Sequence, residues 1–377
     1  MKIVSVMTTH SRGGAEFAAV EMLDALVDRG HEPVMLTDQP GIARDRRVPV
    51  HPLEIGPKLS TSSWRELALT WPSLLRDFRR ALEAEAPYDV LLVHYKKEQL
   101  LAGMLPKHLR PSVVWCEWGP VPFPLRTGLP RQAYLAAGRR ADLVLAISRG
   151  TADNVADVGI PPWKIVTVPN VMRTEEIDFS AEGRAAVRAE LGIPADAFVV
   201  GCISRFHPKK RNDVVVDAVK RLENPNVHVV LAGDGETEDE LRRLGEPLGD
   251  RMHIVPTPGQ NVGDVLSAFD VSVFCPSPTE GQPRATILAM LARRPALATG
   301  PEGVADMITP EVGGIASPEN DPDALAGLLR RYLDDPALIV SQGETGRALA
   351  ERTYAAPVVA ELLEGLFEQA RAHAAKR

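Results

Sequence analysis

The chain has 377 residues, too many for one ordinary core and enough for two domains of usual size. Hydrophobic residues make up 45% and charged residues 25%, with a net charge of -7, which describes a globular chain and argues against one that coats nucleic acid. The three cysteines (Cys116, Cys202 and Cys275) form no Cys-x-x-Cys pair, which removes a zinc knuckle and a dithiol redox motif.

The first residues, MKIVSVMTTH, turn polar at Thr8, so 3–7 reads as a first strand and not as a signal sequence. No run reaches the roughly 18–20 apolar residues of a membrane span. Cytoplasmic residence is the expectation, with Cys202 and Cys275 as buried structural thiols in apolar runs. Residues 15–29 read as a helix with Phe17, Val20, Leu23 and Leu26 about one per turn, ended by Gly30. A strand at 33–37 follows. Residues 64–85 are helical, interrupted at Pro72. Trp64, Leu67, Trp71, Leu74 and Phe78 share its core-facing side, and Arg76, Arg79 and Arg80 keep a membrane-surface helix as the alternative. Strands at 89–94, 112–116, 142–147 and 164–168 continue the βα alternation.

The polar, charged stretch 173–183 reads as a linker, after which the pattern restarts. Strands at 198–203, 227–232, 252–255, 271–275 and 296–299 alternate with helices at 212–222, 236–244, 262–268 and 285–292, and 322–374 reads as helices alone. Repeated βα units mean parallel sheets covered on both faces. In such sheets ligands bind beyond the carboxyl ends of the strands.

Three segments carry chemistry. Arg205 follows the strand ending at 203, and Lys210 and Arg211 open a helix. Cations there oppose the helix dipole by a few tenths to about 1 kcal/mol each, unless an anion binds. Arg suits phosphate through its fork and Lys as a mobile point charge; the alternative is a solvated basic turn. Gly13 and Gly14, between the first strand and the first helix, let backbone N–H groups approach a ligand, or simply make a tight turn. Neither this pair nor GDG at 233–235 is G-x-G-x-x-G, so a dinucleotide oxidoreductase is weakly supported. Glu280, after the strand ending at 275, can accept hydrogen bonds from sugar hydroxyls or merely match the dipole of the next helix.

GGAE at 13–16, RADLVLAIS at 140–148, PN at 169–170, SRFHPKKR at 204–211, LAGDGE at 231–236, TEGQPRATILAM at 279–290 and PEGVADMI at 301–308 occur in one order. Together they resemble the family-four retaining glycosyltransferases of the GT-B fold, over nearly the whole chain. The resemblance implies an α/β chain of two Rossmann-like doubly wound domains facing a central cleft. Residues 1–175 would bind the acceptor and 176–353 the nucleotide-sugar, with the terminal segment 354–377 returning to the first domain. It also implies that Arg205 and Lys210 hold the diphosphate, that Glu280 contacts the donor sugar, and that the backbone at Gly13, Gly14, Gly281, Gln282, Pro283 and Arg284 helps hold sugar and phosphate. The partners would be a nucleotide-diphosphate sugar, a UDP-sugar among the candidates, and a small-molecule, lipid-linked or glycan acceptor. No cofactor and no metal are expected; Asp321 and Asp323 form the only Asp-x-Asp and read as a helix cap. On the acceptor side the candidates are His10, Glu16, His94, Lys96, Glu117 and Trp118.

Three departures stand out: Leu288 takes the place of the second Glu of the family's Glu-x7-Glu, Trp118 precedes Gly119 where a His is usual, and Val171 replaces the glycine of PNG. Leu288 and the missing histidine motivate the alternative of a catalytically weak relative that binds a sugar nucleotide or a partner protein without transfer. A sugar-nucleotide epimerase on the same fold is a further alternative, disfavoured by the GGAE and SRFHPKKR series.

Overall fold

The computed structural model describes residues 1–9, 13–60, 62–257, 259–275, 280–300 and 303–376, without the side chain of residue 260. The chain divides into Met1–Met172 with Ala355–Arg377, and Arg173–Tyr354.

In the first unit β1 (Lys2–Met7), β2 (Glu32–Thr37), β3 (Val50–Pro52), β4 (Val90–Val93), β5 (Val113–Glu117), β6 (Leu143–Ala146) and β7 (Ile165–Thr167) form a parallel sheet in the order β3-β2-β1-β4-β5-β6-β7. Between them run α1 (Gly14–Val27), α2 (Trp64–Glu85), α3 (Lys96–Met104), α4 (Gly128–Gly138) and α5 (Arg149–Val158). Alternate strand residues feed two apolar layers. Val4, Val6, Leu91, Val93 and Trp115 enter one; Ile3, Met7, Val90, Leu92 and Val114 enter the other. Both faces are therefore buried, as parallel pairing requires.

Gly30 adopts φ 76°, and the His31 N–H reaches the Leu26 carbonyl at 3.1 Å, closing α1 as a glycine terminus does. Phe17 departs from the expected apolar stripe: it is 47% exposed, and the buried side runs through Val20, Met22, Leu23 and Leu26. Trp64 is also exposed, and Trp71 is half-buried with its indole N–H 3.1 Å from Met104 Sδ. Leu67, Leu74, Phe78 and Leu82 are the buried core contacts of α2, and Trp71, Leu75 and Ala81 pack against the same layer. The helix is not interrupted at Pro72, which lies on the exposed side; the carbonyl it frees, that of exposed Ala68, can be solvated.

The second unit repeats the plan. β8 (Phe198–Ile203), β9 (Val227–Ala232), β10 (Met252–Val255), β11 (Val271–Phe274), β12 (Ala296–Thr299) and β13 (Gly313–Ala316) are parallel in the order β10-β9-β8-β11-β12-β13. They are covered by α6 (Ala181–Glu190), α7 (Asn212–Leu222), α8 (Glu238–Gly245), α9 (Val262–Ala268), α10 (Arg284–Leu291), α11 (Pro322–Asp334) and α12 (Ala337–Tyr354). The stretch read as a linker is bound to this unit. The Ser180 N–H donates to Ser267 Oγ at 2.9 Å, Asp178 pairs with Arg293 at 2.8 Å, and Arg347 donates to the carbonyls of Thr174 (3.1 Å) and Leu291 (2.9 Å).

The last helix, α13 (Ala356–Ala375), belongs to the first unit. Val359, Leu363 and Phe367 join the layer of Leu23 and Leu26, Arg29 pairs with Glu364, and the Ala356 N–H donates to the Met172 carbonyl at 2.9 Å. All three cysteines are free and buried, and burial pushes the Cys202 thiol up to about 11.

Asp270 ties α6 to the second sheet. Its carboxylate accepts from Arg184 (2.6 Å), Arg188 (2.8 Å) and the Val199 N–H (2.7 Å), and the Arg188 and Asp270 side chains are 4% and 9% exposed. Asp270→Asn leaves a buried guanidinium without its counter-charge and should destabilise the protein by roughly 3–5 kcal/mol, read by urea denaturation. His228 and His253 stack on β9 and β10 with ring centroids 5.5 Å apart and a 3.1 Å Nδ1–Nε2 contact; burial and then neighbouring charges lower both pKa values. Below about pH 6.5 the unfolded chain takes up protons that this pair resists, so stability falls as pH falls. His228→Gln/His253→Gln should flatten that fall between pH 6.5 and 5 in chemical denaturation.

Candidate functional site

In the second unit, β8 ends at Ile203 and delivers 204–211 to the carboxyl edge of the sheet. This turn is held by backbone. The Ser204 N–H donates to the Ala232 carbonyl (3.1 Å), the Phe206 N–H to the Asp234 carbonyl (2.7 Å), and the Thr237 N–H to the Phe206 carbonyl (3.2 Å). Gly233 (φ 158°) and Gly235 (φ 148°) make this closure fit: a Cβ on them would lie 1.9 Å from the Ser204 carbonyl oxygen and 2.3 Å from that of Phe206.

Between these anchors Arg205 is exposed and makes no side-chain hydrogen bond or ion pair among the described residues. Lys210 ends a short 3-10 turn at Pro208–Lys210, capped by His207 Nδ1, which accepts from the Lys209 N–H at 3.1 Å. Its Nζ donates to Glu280 Oε1 at 2.7 Å and lies 5.1 Å from the centre of the Phe274 ring. The side chains of Lys210 and Glu280 are 23% and 24% exposed. Sequence reading nominated both residues separately; the fold brings them into contact from loops after β8 and β11.

Arg211 occupies the left-handed region (φ 44°) and pairs with Asp213 at 2.9 Å. Asn212 was missed. It is buried, accepts from Ser204 Oγ at 2.8 Å and holds the start of α7 to the turn, while its own Nδ2 has no partner. Its place directly after the basic run was the available signal.

Gly281 and Pro283 are buried, while Gln282 and Arg284 are half-buried at the start of α10. Gly303 (φ 72°) presses on the same turn: a Cβ there would lie 2.6 Å from the carbonyl oxygens of Glu280 and Gly281. Leu288 packs on the cluster of Val199, Leu266 and Phe269, so the position of the missing second Glu is part of the apolar layer.

The first unit deals differently with the polar groups at its strand ends. Gly13 is extended (φ -153°) at the start of α1, so its φ does not demand glycine, and Gly14 is exposed. Glu16 is buried and accepts from Thr9 Oγ1 (3.2 Å) and from the Tyr95 hydroxyl. His94 is buried too. Trp118 Nε1 donates to its Nδ1 at 3.2 Å, leaving Nε2 to donate to Ser5 Oγ at 2.7 Å; burial drives its pKa to about 3, so the ring is neutral. Glu117 is 3% exposed and accepts from Lys96, Gln99 (3.1 Å) and the Tyr134 hydroxyl (3.1 Å). Glu16, His94 and Glu117, all offered as acceptor contacts, are thus internal groups occupied by other side chains. Trp118 keeps an accessible edge, beside a cavity of about 20 Å³ that has room for a water and not for a sugar. His10 lies outside the described residues.

Asp321 caps α11, accepting from the N–H groups of Asp323 (2.8 Å) and Ala324 (3.3 Å). No group of three His, Cys, Asp or Glu among the described residues is placed to hold a metal, and no helix among them is long and apolar enough to cross a membrane.

The family described as "Glycosyl transferase 4-like domain" matches residues 13–171, and "Glycosyl transferases group 1" matches 183–352. A lipopolysaccharide core biosynthesis glycosyltransferase, LpsD of Rhizobium meliloti, is 27% identical over 97% of this chain and 98% of its own. A GDP-mannose-dependent alpha-(1-6)-phosphatidylinositol monomannoside mannosyltransferase of Mycolicibacterium smegmatis is 26% identical over 64% of this chain and 67% of its own. Among solved structures, HepE of Anabaena in complex with UDP-glucose superposes with a TM-score of 0.82 at 20% identity, covering 98% of this chain and 99% of that one. The chain is a glycosyltransferase of the GT-B type, a glycosyl transferase 4-like domain followed by a group 1 domain.

Proposed function

We propose that the chain transfers a sugar from a nucleoside-diphosphate sugar to an acceptor hydroxyl, with retention of configuration and without a metal ion. The observation that carries this is the edge of the second sheet, where Lys210 meets Glu280 at 2.7 Å beside the unpartnered Arg205. Departure of a nucleoside diphosphate concentrates negative charge on its phosphates. Arg205 supplies a fork and Lys210 a point charge to receive it, on a turn that needs no reorganisation. Glu280 accepts from hydroxyls of the donor sugar, and the backbone N–H groups of Gly281, Gln282 and Arg284, around the start of α10, face the same charge.

A UDP-sugar comes first as donor, because HepE, whose fold this chain shares, holds UDP-glucose; the GDP-mannose-dependent relative puts guanosine second. The first unit takes the acceptor. A likeness to a lipopolysaccharide core enzyme along almost the whole chain favours a glycan on a lipid carrier over a free small molecule.

Thermal shift with UDP, GDP and ADP will name the base, and NMR of the product's anomeric centre will read retention. Arg205→Ala and Lys210→Ala should each lose about 10²–10³ in turnover while remaining folded by circular dichroism. Near-normal turnover in both variants would sink the proposal.

A further inference from the structure

We infer that the Lys210–Glu280 ion pair is an exchangeable latch: it lets the second unit hold a nucleoside-diphosphate sugar firmly and loosens its hold on the nucleoside diphosphate left after transfer. This rests on the donor-site reading above.

Backbone contacts hold both residues in place. The Lys210 N–H donates to the His207 carbonyl at 2.8 Å, Asn212 anchors the next residue but one, and Gly303 presses on the carbonyls of Glu280 and Gly281. Lys210 and Glu280 satisfy each other at 2.7 Å, and both remain about one quarter exposed, so a ligand can reach them.

A sugar nucleotide offers both replacements at once. Its phosphate oxygens accept from the ammonium, and its sugar hydroxyls donate to the carboxylate, so each partner leaves the pair for another. A nucleoside diphosphate without sugar offers only the first. It must then draw Lys210 away while Glu280 stays unpaired, or approach a cation already neutralised by a carboxylate whose charge repels it. Arg205 has no competing carboxylate among the described residues, so it grips the diphosphate in either case. Lys210 grips it fully only when sugar occupies Glu280. Donor is thereby distinguished from spent product by the bond that the reaction breaks.

The test is a set of binding constants by calorimetry for UDP and UDP-glucose, or for GDP and GDP-mannose if guanosine gives the larger thermal shift. Glu280→Gln should bind the nucleoside diphosphate about twofold to fivefold more tightly, the scale of one partly exposed ion pair. Its preference for sugar nucleotide over nucleoside diphosphate should shrink, and product inhibition should strengthen to match. The gain must vanish in a Lys210→Met background. Asp213→Asn, which removes a carboxylate from the same turn but one paired with Arg211, should not reproduce it. Unchanged or weaker nucleoside-diphosphate binding by Glu280→Gln overturns the latch, as does a gain that persists without Lys210 or that Asp213→Asn reproduces. If the wild type binds no nucleoside diphosphate, or binds it equally well after Arg205→Ala, the donor-site reading itself fails and the latch with it.

Discussion

Two glycines without side chains determine what the second unit can present. The carbonyl oxygens of Ser204 and Phe206 occupy space that any Cβ at 233 or 235 would need. Because the GDG loop can lie that close, three backbone hydrogen bonds pin the chain on both sides of Arg205. A long, cationic, unpartnered side chain then projects from a rigid base. Without that base the basic run would be a floppy turn, and ordering it would cost conformational entropy each time a ligand arrived. The site is thus built first from backbone contacts, then from the buried Asn212, and only last from the charged groups.

The two units handle polar groups at equivalent sheet edges in opposite ways. In the first, Glu16, His94 and Glu117 are buried and consumed by Thr9, Tyr95, Trp118, Ser5, Lys96, Gln99 and Tyr134. Such groups stiffen the edge. In the second, Lys210 and Glu280 remain partly in water, and Arg205 has no partner among the described residues. Partly solvated ions can be exchanged at little net cost, whereas a buried pair strongly resists losing one member. This difference in burial, more than residue type, separates groups that organise the structure from groups that can meet a substrate.

Burial is also what the sequence could not express. The strands of the second unit at 198–203, 227–232 and 296–299 were legible to the residue, because buried parallel strands are continuous apolar runs between turn residues; the half-buried strand at 252–255 was legible as well. β3 and β13 escaped, being three and four residues long with the sequences VHP and GGIA, too short and too poor in side chains to show a period. Lys210 and Glu280 were legible as types at strand ends; their contact was not, since it joins loops seventy positions apart. His94 and Glu117 were nominated for the same reason as Glu280, and nothing local announced that a tryptophan, a serine, a lysine, a glutamine and a tyrosine would claim them. Asn212 was passed over because an asparagine at a helix start is ordinary.

The return of α13 to the first unit has a consequence for how the molecule is made. Val359, Ala360, Leu363, Leu366 and Phe367 complete the apolar layer over β1, β4 and β5, yet they are synthesised after the whole of the second unit. As the polypeptide emerges, the second unit is contiguous and has its full core once residue 354 is out. The first unit, although made earlier, must wait with one face of its sheet incompletely covered until the final helix arrives. Order of synthesis and order of completion are therefore reversed, and the exposed interval falls on the unit whose strands were translated first.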